Sequence, residues 1–131
     1  MTRFLLRMEF NFTINTDTKI ITVQTAGDLI RDEVAEMDKS IRMKAIELEC
    51  NILFDFRKSK NRITIADAYF WYDEFYKDDE RFLMSIPTVH LSSAGDEDFF
   101  KFFETTTNNS GIPIKMFTKE EAAIAWLGSS R

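Results

Sequence analysis

Residues 51–64, NILFDFRKSKNRIT, decide how this chain is read. Asn51 to Phe56 is apolar apart from Asp55, with too little alternation for a strand that has one wet face. A nearly continuous apolar strand belongs in the centre of a sheet covered on both sides. Arg57, Lys58, Lys60 and Arg62 then crowd into six positions of a chain whose net charge is −5. Thr64 follows as an N-cap, with Asp67 three residues on as its capping-box partner, so a helix should run to about Lys77. The stretch therefore reads as a central strand, a basic loop and a helix start.

Outward from that joint the chain alternates strands and helices. Met8 to Ile14 places an apolar residue at every second position, predicting a strand with one buried and one polar face. Turn-forming residues 15–19 and a second strand over 20–25 complete an antiparallel hairpin. Ala26-Gly27-Asp28 is read as a helix opening, with Asp28 near the positive end of the dipole and an end between Met43 and Glu49. Pro87 to Ser92 is a fourth strand, its proline at the first position where a lost N–H matters least. A helix with an acidic start carries Phe99, Phe100, Phe102 and Phe103. Pro113 to Phe117 is the fifth strand, and Thr118, with Glu121 completing a capping box, starts a last helix to Leu127.

The order β-β-α-β-α-β-α-β-α predicts an α/β fold. Its sheet is mixed, mainly parallel and five-stranded, with an N-terminal β-hairpin and four helices on both sides. A length of 131 residues suits one domain over residues 1–131. The acidic balance argues against general nucleic-acid binding, which needs a cationic surplus. No apolar run approaches the roughly 20 residues of a membrane span. The basic opening, Met1 to Arg7, lacks the apolar core of a signal peptide, and the lone Cys50 permits no internal disulfide. These features point to the cytoplasm.

The strand and loop ILFDFRKS and the ending KMFTKEEAAIAWL resemble the SpoIIAA-like family, from about Met8 to Leu127. That family shares the STAS-type fold and is similar in shape to CRAL-TRIO lipid-binding domains. The closing pattern is Phe117, Glu120, Glu121, Ala123, Trp126 and Leu127, where the apolar pair pins a short last helix. The resemblance implies a regulatory, non-enzymatic protein. In STAS regulators a phosphorylatable serine opens the helix after the central strand, a place held here by residues 59–64. Ser59 and Thr64 are the hydroxyls available, although the family's Asp-Ser pair is missing.

The basic loop has another reading. It lies beyond the carboxyl end of a central strand, where open α/β sheets bind ligands, so Arg57, Lys58, Lys60 and Arg62 are candidates for a small anion or lipid headgroup. No glycine-rich phosphate cradle accompanies them. The following helix puts six aromatics, Tyr69 to Tyr76, within eight positions, more than one helical face can take. Phe70, Trp71, Phe75 and, on the next helix, Phe100 are therefore candidate interface residues for a homodimer or a protein partner. His90 is the sole histidine, and with Cys50 alone beside it the usual zinc ligand sets are excluded. Asp55 is the carboxylate whose pKa should be perturbed. No catalytic residue, metal or cofactor is expected.

Overall fold

The computed structural model describes residues 8–130; the opening segment 1–7, with its basic flank, lies outside the described residues. Strands β1 (Glu9–Asn15) and β2 (Ile20–Leu29) form the expected hairpin. Helix α1 (Arg31–Leu48) follows, then β3 (Asn51–Asp55), β4 (Ser59–Asn61), α2 (Ile65–Tyr69) and α3 (Trp71–Phe75). A 3-10 turn over Asp78–Ser85 leads to β5 (Thr88–Leu91), α4 (Glu97–Asn109), β6 (Ile114–Phe117) and α5 (Glu120–Ser129).

The sheet runs β1-β2-β3-β5-β6, antiparallel at the hairpin and parallel elsewhere, with β4 pairing beside β2. It thus has six strands where five are expected from the sequence. The extra strand comes from the basic loop itself: Ser59–Asn61 pairs in parallel with Gly27–Leu29. That pairing also corrects the start of α1. Residues 26–28 continue β2, and Asp28 sits in a strand, not in a helix's first turn. Gly27 has φ 91°, a conformation open to glycine at little cost, just where the second pairing begins.

β3 is central, as its composition requires, with Ile52, Leu53 and Phe54 at most 1% exposed. On one face Ile21, Val23, Ile52 and Phe54 pack under α1, α3 and α4. On the other, Leu53, Val89 and Leu91 meet Ala123 and Leu127 of α5. Leu127 is fully buried, its carbonyl accepts a hydrogen bond from Asn51 Nδ2 at 3.1 Å, and Trp126 packs on Phe117. These contacts are the pin that the last helix needs. Its N-cap is Lys119 with no side-chain cap, so the capping box expected from Thr118 does not form. Pro87 stands just ahead of β5, where its carbonyl accepts from Ile52 N.

The aromatic segment departs most from expectation. One helix to about Lys77 is replaced by α2 and α3, broken at Phe70 (φ −97°, ψ 9°). A continuous helix would leave part of six aromatics facing water. The break re-aims the second piece, so Trp71, Tyr72 and Tyr76 all become buried.

Candidate functional site

The basic loop is a built structure with its charges largely answered. At the end of β3, Asp55 Oδ1 accepts from Arg57 N (3.1 Å) and Nε (2.9 Å), and Oδ2 accepts from Arg57 Nη2 (2.8 Å). Burial alone would raise the Asp55 pKa, but these side-chain and backbone bonds from Arg57 outweigh it and hold the carboxyl below its ordinary value. Arg57 also reaches Glu120 of α5 at 3.2 Å, tying the loop to the last helix. Arg62 Nε pairs with Asp28 at 3.2 Å. Lys58 and Lys60 are exposed and form no ion pair among the described residues, though the Lys58 charge helps hold the Asp55 carboxyl low.

The two hydroxyls are also in use. Ser59 is buried, with its Oγ 2.7 Å from Thr25 Oγ1 across the β4–β2 pairing. A kinase would have to lift β4 off the sheet to reach it. Thr64 is exposed and forms the expected capping box: its Oγ1 accepts from Asp67 N at 3.1 Å. One of the first-turn N–H groups that an anion would want, that of Asp67, is therefore already bound.

Of the four aromatics assigned to an interface, the structure moves two inside. Trp71 is 3% and Phe100 4% exposed, Phe75 is half-buried, and Phe70 alone is well exposed. Trp71 meets Phe75 and Phe103 edge-on, and Phe100 stacks on Phe56 at 5.1 Å. The helix break turns Trp71 inward, and α4 lies along the sheet with Phe100 on its buried stripe.

These rings enclose His90, which contacts Phe54, Phe56, Phe100 and Phe103 and lines a cavity of about 30 Å³ with them and Asp38. Burial, with the nearby Arg42 charge adding to it, pushes the His90 pKa down to about 3. The ring is neutral in the folded protein at any ordinary pH. The folded pKa lies below the unfolded value of about 6.5, so the stability it confers is complete above pH 6.5 and is lost as pH falls toward 3. We expect unfolding free energy to fall by up to about 1.4 kcal/mol per pH unit in that window. Denaturant titrations at pH 7, 5.5 and 4.5 should show this slope in the wild type and a flatter one in His90→Gln. Asp55 and Glu104, also held low, start to add their loss as pH falls through their unfolded values of about 3.9 and 4.3, and do so alike in both proteins. Equal slopes in the two proteins would refute the assignment.

The sequence reading missed a row of exposed apolar side chains on the edge strand. Phe10, Phe12 and Ile14 were expected on a buried face, yet they are 42%, 39% and 39% exposed. Their alternation correctly puts them on one face, the side of Val23 and Ile21, their cross-strand partners. But β1 is the outermost strand, and Val23 and Ile21 pack into the core beneath α1 while β1 does not. All seven β1 residues are exposed, and a groove of about 180 Å³ runs between the strand and α1, lined by Met8, Phe10, Glu36 and Met37. Period-2 patterning states which residues share a face; it carries no signal for whether anything covers that face. Tyr69 and Phe70, 61% and 55% exposed, stack edge-on in a second patch.

Among the described residues, no helix is long and apolar enough to cross a membrane, and no group of three His, Cys, Asp or Glu is placed to hold a metal ion. No protein-family model matches the chain, and no curated protein matches it. Among solved structures it is similar to an uncharacterised protein of the DUF3478 family with a SpoIIAA-like fold, from Shewanella loihica PV-4. The identity is 14%, over 92% of this chain and 93% of that one, with a TM-score of 0.52. The fold of this chain is SpoIIAA-like.

Proposed function

We propose that this protein is a non-enzymatic, cytoplasmic regulatory domain that works by meeting another protein chain along the edge strand β1. The observation that carries the reading is the exposed row Phe10, Phe12 and Ile14 on a strand whose outer backbone edge has no partner strand among the described residues. Contiguous apolar surface on a soluble fold marks contact sites, and an unprotected edge is a template for pairing. The non-enzymatic part of the reading draws support from His90, neutral and enclosed, and from Cys50, which is buried. An anion or lipid headgroup at the basic loop would draw on Lys58 and Lys60 alone, because Arg57 and Arg62 already face carboxylates.

The test is a photo-crosslinker, p-benzoylphenylalanine, placed at position 12 and, as control, at position 124. Ile124 is comparably exposed, at 40%, on α5 across the sheet. Illumination of living cells should yield a protein adduct from position 12 and none from position 124. No adduct from position 12, with the protein folded and expressed, would overturn the reading.

A further inference from the structure

The two edges of the sheet are not alike. β6 is four residues long, and its Lys115 and Met116 are tied to Glu104 of α4, Lys115 by an ion pair and Met116 by a backbone hydrogen bond. A short, lysine-bearing edge is how folds discourage strand addition. β1 is seven residues long, unbulged over seven consecutive pairs with β2, and contains no proline or lysine. Its single charge is Glu9, at its very end.

From this edge we propose that β1 pairs antiparallel with β1 of a second copy of this chain, in the register that sets Phe12 opposite Phe12. The inference rests on the contact reading above and names its partner. A two-fold axis perpendicular to the sheet keeps the two faces aligned, so a residue must pair with one on its own face. Of the registers this allows, the one centred on Phe12, the midpoint of Glu9–Asn15, pairs all seven residues. It sets Phe10 against Ile14 and Asn11 against Thr13, and Glu9 meets Asn15, so no like charges face each other. Six apolar side chains, three from each copy, then form one continuous row. Cross-strand aromatic and branched pairs of this kind are what stabilise a sheet. The net charge of −5 on each copy opposes approach only weakly, since exposed charges beyond about 8 Å are screened at physiological salt.

Sedimentation velocity at about 100 µM with crosslinking through one introduced cysteine tests the proposal. In the stated register the position-12 Cα atoms lie about 4.5–5.5 Å apart, within disulfide range. The two position-10 atoms are offset by four residues, about 13 Å, and are out of reach. Under mild oxidation Phe12→Cys should give a covalent dimer and Phe10→Cys none, while a mixture of Phe10→Cys and Ile14→Cys should give the mixed dimer. Cys50 is buried and does not compete. Phe12→Lys, with circular dichroism confirming its fold, should weaken association at least about tenfold by facing two lysines across the axis.

A wild-type monomer at that concentration overturns the proposal. So does a dimer in which Phe10→Cys crosslinks as well as Phe12→Cys. If the position-12 photo-adduct in cells contains a different protein and the purified chain is monomeric, self-pairing fails while the contact reading stands. If position 12 yields no adduct at all, both fail.

Discussion

Replacing Arg42 with methionine is expected to cost about 3–5 kcal/mol of folding stability, enough to bring a domain of this size near its unfolding threshold. Arg42 is fully buried on α1. Its Nε donates to both oxygens of Asp38 at 3.1 Å, and its Nη1 donates to the Leu83 carbonyl at 3.0 Å, joining α1 to the 3-10 turn. Tyr76 O–H donates to the same Asp38 carboxylate. Burial by itself would lower the Arg42 pKa. The Asp38 charge opposes that and, with Tyr72 and Tyr76 behind it, holds the Arg42 pKa above its ordinary value. Methionine keeps most of the apolar stem, so what is removed is the charge, leaving Asp38 enclosed without its cation and with one hydrogen bond from Tyr76.

The cost of a broken buried pair is mainly that stranded partner, which dictates the form of the measurement. Urea unfolding of Arg42→Met, Asp38→Leu and the double variant completes a cycle. Each single change should be severe. The double variant should cost clearly less than the sum, because two apolar side chains leave no stranded charge. A cost below about 1 kcal/mol for Arg42→Met, or strict additivity, would show that the pair is not the anchor of the 3-10 turn.

Where local chemistry decided the outcome, the sequence told it plainly. β3 is central because it is apolar throughout, Pro87 sits where its missing N–H does no harm, and the capping box of Thr64 and Asp67 forms. Trp126 and Leu127 hold the last helix, as an apolar pair on so short a helix must. What failed was non-local. Nothing near Ala26-Gly27-Asp28 says that Ser59–Asn61 will pair beside it, so a strand end looked like a helix start. Phe12 alternates correctly yet lies bare, because edge position depends on the whole sheet. The Asp38–Arg42 pair had a usable signal. Position 38 falls one turn after Val34 and beside Met37 and Ile41, on the buried stripe of α1, and position 42 lies four residues on. A carboxylate and a guanidinium inside an apolar stripe at that spacing announce a buried ion pair.

Trp71→Ala carries the second large effect, and the structure redirects it from association to stability. With its aromatic neighbours counted along one unbroken helix, Trp71 looked like an interface residue whose loss would weaken a dimer. The helix break at Phe70 instead turns it inward, with Phe75 at 4.8 Å and Phe103 at 6.0 Å, both edge-on. Truncating a buried tryptophan removes its apolar burial and leaves a hole beside a cavity already present, so about 3–5 kcal/mol should be lost. Trp71→Phe, which refills part of that volume, should recover part of the loss. Urea unfolding followed by circular dichroism measures both. Sedimentation of the folded fraction should show unchanged association, since Trp71 is buried against Phe75 and Phe103 and takes no part in the β1 row. Intrinsic fluorescence adds an independent readout: removal of the enclosed Trp71 leaves emission from the half-buried Trp126, shifted to the red. A stable Trp71→Ala protein that has lost its self-association would restore the helical interface and displace the edge strand from that role.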